Sequence, residues 1–333
     1  MLLNDRIKSF AALGTRLENW SSPDREELLL KAGNENSWFT KEHINLAIDG
    51  IGKFLNTSAL TEWSGHYSIE NLTSKKVGLI TAGNIPLVGF HDILCVLISG
   101  HHLLLKISSK DQALTKFILN QLIAIDPSFE SRITITERLN DADAFIATGS
   151  DNSARYFEYY FKDKAHIIRK NRSSVAVLTG SETENDFIRL GKDIFQYFGL
   201  GCRNVSKVYV PEGYDFVPLL DGLKSFEPVI HHHKYRNNYD YNKSIYLVNR
   251  VLHLDTEFLL VKESEEMISP ISVLYYQTYK DAAELASLLE ANESKIQCVV
   301  GKSERQITFG EAQLPNLHDY ADGVDTMDFL QNL

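Results

Sequence analysis

Cysteine thiolate is an intrinsically strong nucleophile at neutral pH, and the chain has three cysteines: Cys95, Cys202 and Cys298. Cys95 lies in ILCVLIS and Cys298 in IQCVVG, apolar runs in which cysteine behaves as a small buried hydrophobe. Cys202 stands apart, in FGLGCRNVSKVYVP, with glycines at 199 and 201 before it and Arg203 and Asn204 after it. Flanking glycines let backbone or ligand approach closely. A nearby cation and backbone N–H groups favour the thiolate, which is the reactive form. Local sequence leaves nucleophile and structural thiol level.

Three further stretches carry polar residues at strand ends. In TAGNIPLVGF (81–90), Asn84 follows a strand and precedes a helix, with Pro86 where an early helical proline is tolerated. Its plain role is a helix cap; its chemical role is an amide donor to a developing oxyanion. In LLLKISSKD (103–111), Lys106, Ser108 and Ser109 end a second strand. In ATGSDNSARYF (147–157), Gly149 and Ser150 form a turn ahead of a helix whose N-terminus suits an anion, or Ser150 is simply a cap.

The elements that position these residues follow from the apolar patterning. Residues 1–55 predict helices: Asp24 opens DREELLLKA, and Thr40 precedes KEHINLAIDGIGKFL. From Lys75 strand-like and helix-like runs alternate: KKVGLIT, PLVGFHDILCVLIS, HLLLKIS, ALTKFILNQLIAI, then RITIT, DAFIAT, SARYFEYYF and AHII. Such alternation predicts a parallel sheet covered on both faces. A second cycle starts at SSVAVLT, with a helix over 181–198 capped by Ser181 and Glu184. It continues through VSKVYVP, SIYLVN, EFLLV and ISVLYYQ, the helix DAAELASLLEA and the strand IQCVV. The fold class is α/β, with a nucleotide-binding domain over 1–172 (helical over 1–55), a catalytic domain over 173–300 and an acidic tail over 301–333 returning to the first.

Acidic residues outnumber basic ones by 44 to 34, for a net charge of −10. That disfavours nucleic-acid binding, which needs a basic face. Three cysteines do not make a disulfide framework at this length, so a reducing compartment is expected. MLLNDRIKSF lacks a signal peptide's basic start and apolar core. The most apolar stretch, 77–100, is interrupted by Asn84, Pro86, His91 and Asp92, which argues against a membrane span. A cytoplasmic location is expected.

The order strand–Asn–Pro, strand–Lys, Thr-Gly-Ser, Cys202, then Glu in EEMISPISVLYY (265–276) resembles the aldehyde dehydrogenase superfamily. TAGNIPLVGFHDILCVLISGH, ATGS and FGLGCRNVSKVYVP are most similar to its LuxC-type acyl-CoA reductase branch, and the resemblance spans about 75–300. It implies two doubly wound, Rossmann-like domains and a reductase that converts a fatty acyl-CoA to the aldehyde. By the same resemblance Cys202 is the nucleophile that forms a thioacyl-enzyme. Asn84 and the Cys202 backbone N–H form the oxyanion hole. Lys106 binds the adenosine ribose, Gly149 and Ser150 lie against the pyrophosphate, and Glu266 holds the nicotinamide ribose.

Two departures from that pattern carry information. Aldehyde-oxidising relatives use the Glu of a Glu-Leu-Gly-Gly-Lys motif to activate hydrolytic water. Ile168 falls at that position, and IIRKNRSS (167–174) holds no carboxylate. An enzyme that exchanges acyl groups with a thiol and reduces the intermediate needs no such base. NAD-preferring relatives place a Glu three residues after the ribose-binding Lys. Ser109 removes its repulsion of a 2′-phosphate and Lys110 is adjacent, so NADPH is expected, with NADH as the alternative cofactor. The rival readings are reduction of an acyl phosphate, as in γ-glutamyl phosphate reductases, and a catalytically silent nucleotide- or acyl-binding protein. His231, His232 and His233 stand in a row, yet no Cys or carboxylate lies at zinc-like spacing, so no metal is expected. That segment is expected as a mobile loop at the substrate entrance, with Tyr235, Asn237, Asn238 and Tyr239 near substrate. A homodimer is a fair expectation from the resemblance.

Overall fold

Short β-rich apolar runs become buried strands, and the helical-period runs between them become the crossovers. The computed structural model describes residues 1–20 and 23–333, without the side chains of Pro23, Asp24 and Asp151. The expected opening of a helix by Asp24 therefore falls outside the described residues, although that helix runs Pro23–Glu35. The chain divides into two units, residues 1–171 with 316–333 and residues 172–315. Residues 301–315 thus belong to the second unit and 316–333 to the first.

The first unit holds five strands: β1 (Lys76–Ile80), β2 (His102–Lys106), β3 (Ile133–Ile135), β4 (Ala144–Thr148) and β5 (Ala165–Arg169). They form one sheet in the order β3-β2-β1-β4-β5, every pairing parallel. Leu103, Leu104 and Leu105 of β2 and Ala144–Ala147 of β4 are buried, the near-continuous apolar run that a sheet covered on both faces requires. Helices Phe90–Ile98 and Gln112–Ile125 are the crossovers after β1 and β2. Helices Leu3–Glu18 and Lys41–Phe54 pack Phe10, Leu13, Ile44 and Ile48 into the same core as Leu79, Leu94 and Leu103. Thr40 caps the latter, accepting from the His43 N–H. Late residues close this unit: Tyr320 Oη accepts from Trp63 Nε1 at 2.8 Å, and the His101 ring meets the Leu330 carbonyl at 3.0 Å.

The second unit holds β6 (Ser173–Val177), β7 (Val205–Pro211), β8 (Leu254–Asp255), β9 (Leu260–Glu263), β10 (Val273–Tyr279) and β11 (Ile296–Val300). Their order is β11-β6-β7-β10-β9-β8, parallel except for the antiparallel edge pair β8–β9. Three expectations are corrected here. The helix after β6 runs Glu184–Phe195 and its capping box is Thr183 with Asp186, because Glu182 turns back to accept from Thr179 and Gly180 N–H instead. SIYLVN is no strand but the end of helix His233–Val248. The triple-histidine segment is no loop either: a 3₁₀ turn over Lys224–His231 runs into that helix. Its Tyr235 and Tyr239 are buried, donating to the Phe258 carbonyl and Asp255 carboxylate. They anchor the helix inward, which a substrate-facing loop would not do.

Candidate functional site

In the first unit the chain leaves β1 in one direction for β2 and β3, then crosses back to place β4 on the other side of β1. That reversal is the topological switch point, outside whose carboxyl strand ends α/β sheets bind ligands. Thr81–Asn84, Ile107–Lys110 and Gly149–Ser150 follow β1, β2 and β4, so five expected residues share this edge with Lys106, the last residue of β2. The segment after β1 is tightly built. Thr81 Oγ1 accepts from the Ser108 N–H at 3.3 Å, and the buried Asn36 amide donates to the Gly83 carbonyl at 3.0 Å. A Cβ on Gly83 would run into the Ser108 side chain, so only glycine permits this approach. Asn84 itself is exposed.

Asn84 does not cap the following helix, which starts six residues later at Phe90 with Gly89 as its N-cap. The cause is Leu87, whose φ of 56° breaks the chain direction after Pro86. A leucine there is strained by about 1–2 kcal/mol and needs an anchor. Asp111, at 2% exposure, supplies one by accepting the Leu87 N–H at 2.8 Å. Burial raises the Asp111 carboxyl to about 8, against the Leu87 hydrogen bond and reinforced by Glu35. Pattern reading missed Asp111 because its partner is a backbone group 24 residues away.

Lys106 is half-exposed and pairs with Glu137 at 3.6 Å, while Ser109 and Lys110 lie in solvent. Ser150 caps helix Asp151–Phe161, accepting from the Ser153 N–H. A Cβ on Gly149 would come 2.8 Å from that of Ser153, which keeps the turn against the helix. A glycine-lined edge at a switch point, a helix N-terminus and a lysine on the adjacent strand fit a dinucleotide.

In the second unit Cys202 lies in a turn at the amino end of β7. Cys95 is fully buried, and burial pushes its thiol well above the ordinary cysteine range. Cys202 is only partly buried. So is Cys298, contrary to expectation: it sits where the β11–β6 register shifts, its Sγ 3.0 Å from Ser174 Oγ. Ser174 Oγ also donates to the Cys202 carbonyl at 3.1 Å. Just before the turn, Tyr197 and Phe198 take left-handed φ values of 54° and 57°, where the sequence predicted continuing helix. The His232 ring packs on Phe198, centroids 4.3 Å apart.

Glu266 lies on the loop between β9 and β10, exposed, accepting from Tyr275 Oη at 3.3 Å. Two residues of β7 that the pattern passed over hold this loop: Ser206 Oγ donates to the Met267 carbonyl at 2.8 Å and Lys207 Nζ to the Glu265 carbonyl at 3.0 Å. Burial lowers Lys207 to about 8. The loop carrying Glu266 is thereby tied to the strand that Cys202 precedes. At the position expected for a hydrolytic Glu, Ile168 is half-buried on β5. Its neighbour Arg169 is buried in an ion pair with Asp92 and donates to Thr326 Oγ1 at 2.8 Å. Among the described residues no group of three or more His, Cys, Asp or Glu is placed to hold a metal ion, and no helix is long and apolar enough to cross a membrane.

Solved structures with this architecture include aldehyde dehydrogenases. An NAD-dependent enzyme from Sinorhizobium meliloti aligns over 96% of this chain and 73% of its own, at 13% identity and a TM-score of 0.67. An NAD-dependent benzaldehyde dehydrogenase from Corynebacterium glutamicum covers 91% and 77%, at 12% identity and TM-score 0.66. The Mycobacterium tuberculosis aldehyde dehydrogenase complexed with NAD+ covers 91% and 74%, at 13% and 0.64. At these identities the likeness is one of fold: α/β, aldehyde dehydrogenase-like, with two Rossmann-like sheets. No curated protein matches the sequence. The family model described as Acyl-CoA reductase (LuxC) matches residues 41–217, more than half of the chain and inclusive of the edge after β1, the turn after β4 and Cys202. The chain therefore belongs to the LuxC acyl-CoA reductase family, with a function of the acyl reductase/aldehyde dehydrogenase type.

Proposed function

We propose that the protein reduces an acyl-CoA to its aldehyde with NADPH through a thioacyl group on Cys202. The observation that carries this reading is the setting of Cys202: a partly buried cysteine in a turn fixed by hydrogen bonds from Ser174 and to Asn204, next to strained backbone. Strain of about 1–3 kcal/mol per residue survives only where the surroundings over-determine it, and it clusters at functional sites.

Cys202 thiolate attacks the thioester carbonyl, and the oxyanion that forms is stabilised by the Asn84 carboxamide and a backbone N–H. The C–S bond to CoA breaks, CoA leaves as its thiol, and the acyl group remains on Cys202. A nicotinamide cofactor, when bound, would supply the hydride that reduces this acyl group. The C–S bond to Cys202 then breaks, releasing aldehyde and restoring the thiolate. Splitting one hard substitution into two easier steps is the gain from covalent catalysis. Lys106, Ser108, Gly149 and Ser150 would hold the nucleotide and Glu266 the nicotinamide ribose. Ser109 with Lys110 favours a 2′-phosphate over a bare 2′-hydroxyl. The absence of a carboxylate from Ile167–Ser174 supports reduction over hydrolysis, since no side chain there activates water.

The test is cofactor oxidation with a series from acetyl- to palmitoyl-CoA, and with an acyl phosphate beside it. Turnover of acyl-CoA that exceeds that of the acyl phosphate, with higher kcat/KM for NADPH than NADH, is expected. Preference for the acyl phosphate overturns the substrate assignment, and preference for NADH overturns the cofactor assignment.

A further inference from the structure

Asn204, two residues after Cys202, is 1% exposed and uses its whole carboxamide. Its Oδ1 accepts the Gly201 N–H at 2.8 Å. Its Nδ2 donates to the carbonyls of Gln196 at 2.7 Å, Asp193 at 3.0 Å and Ile194 at 3.4 Å. These carbonyls close helix Glu184–Phe195, where the last turn lacks intrahelical donors. One side chain thus ties the residues before the left-handed pair Tyr197–Phe198 to Gly201, three residues after Phe198, and Cys202 lies inside the loop so closed.

The Asn204 backbone is equally committed. Its carbonyl accepts from the Ser174 N–H at 3.0 Å and from Ser173 Oγ at 3.1 Å, and its N–H donates to the Gly201 carbonyl at 3.1 Å. Asn204 therefore docks the turn on the helix end and, together with the Ser174 Oγ bond to the Cys202 carbonyl, on β6. Two bulky residues in left-handed conformation cost about 1–2 kcal/mol each, so without that tie the segment would relax toward ordinary backbone. Only an amide fits: a carboxylate keeps the Gly201 bond but turns oxygen toward three carbonyls, and a short hydroxyl cannot span both sides.

We propose that Asn204 is the positioning residue of the nucleophile, holding the Cys202 turn in the geometry from which the thiolate attacks. It acts through Gly201 and the helix end and touches neither substrate nor cofactor. This inference rests on the reading of Cys202 as nucleophile.

The experiment follows covalent acylation by radiolabelled decanoyl-CoA without NADPH, in the parent, Asn204→Ser and Asn204→Asp, with the labelled residue identified by peptide mass mapping. Steady-state kcat and KM and thermal melts accompany it. The expected result is labelling at Cys202 in all three proteins, with acylation and kcat about 10²-fold slower in both variants, the scale set by a displacement of about 1 Å. KM and the cooperative melt are expected to persist. Labelling at Cys202 as fast in the variants as in the parent overturns the role of Asn204 and leaves the nucleophile intact. Labelling of the parent at another residue overturns both. Loss of the cooperative melt in both variants makes Asn204 a folding residue and also overturns the proposal.

Discussion

The two units solve the same problem with different chemistry at opposite strand ends. In the first, the candidate residues follow the carboxyl ends of β1, β2 and β4; in the second, Cys202 precedes the amino end of β7. Each places a bulky residue in left-handed backbone beside its key side chain, Leu87 near Asn84 and Tyr197–Phe198 near Cys202. Each fixes that strain with one buried polar side chain, Asp111 in the first unit and Asn204 in the second. The difference lies in satisfaction. Asp111 accepts one backbone N–H and its Oδ1 has no partner among the described residues, whereas Asn204 makes hydrogen bonds from both ends of its amide. A strained turn in this fold is therefore held either by a carboxyl that titrates or by an amide that does not.

Buried carboxyls sharpen the contrast. Asp92 in the first unit depends on the Arg169 guanidinium, while Asp193 in the second is held by the N–H groups of Gly310 at 2.6 Å and Ala312 at 3.0 Å. Removing a charged partner strands a buried ion, so Arg169→Leu should lower unfolding free energy by about 3–5 kcal/mol, measured by urea denaturation. Asp193→Asn keeps one acceptor, and its loss should stay within about 1–3 kcal/mol. Equal losses would dissolve the distinction. For the exposed edge of the first unit, Asn84→Ala should reduce kcat by about 10²–10³-fold with an unchanged melt. Unchanged kcat in a folded variant would remove Asn84 from the oxyanion hole.

A pH dependence separates the two carboxyls further. Burial, opposed by backbone donors, raises Asp111 to about 8 and Asp193 to about 6, from an ordinary 3.8. A raised folded-state value means the native protein binds the proton more tightly than the unfolded chain. Each carboxyl's contribution is thus complete below pH 3.8 and is lost as pH rises through its folded value. Melting the parent against Asp111→Asn should give a gap that shifts in the variant's favour up to about pH 8, and against Asp193→Asn only up to about pH 6. A gap independent of pH for Asp111 would mean that its carboxyl is already ionised in the native state.

The strand runs were legible because parallel buried strands are apolar on both faces, as HLLLK and DAFIAT show. Cys202 was singled out by its glycines and by the order of the motifs around it, and the structure places it in a partly buried turn ahead of β7. The left-handed pair was not, since Tyr197 and Phe198 continue a helical period and carry no turn signal. Helix His233–Val248 was obscured because its buried residues are tyrosines and an asparagine rather than aliphatics. Asp111, Asn204, Ser174 and Lys207 were missed for a common reason. Their partners, backbone groups together with Cys298 and Gln277, are brought up by the folded turn and sheet and carry no signal in residue type or apolar spacing.

The central claim is that Cys202 carries the acyl group. Its most direct test is the stoichiometry of covalent label after incubation with radiolabelled acyl-CoA in the absence of NADPH, parent beside Cys202→Ala. The account predicts label on the parent, discharged as aldehyde when NADPH is added, and none on the variant. Label retained by a folded Cys202→Ala protein would contradict it.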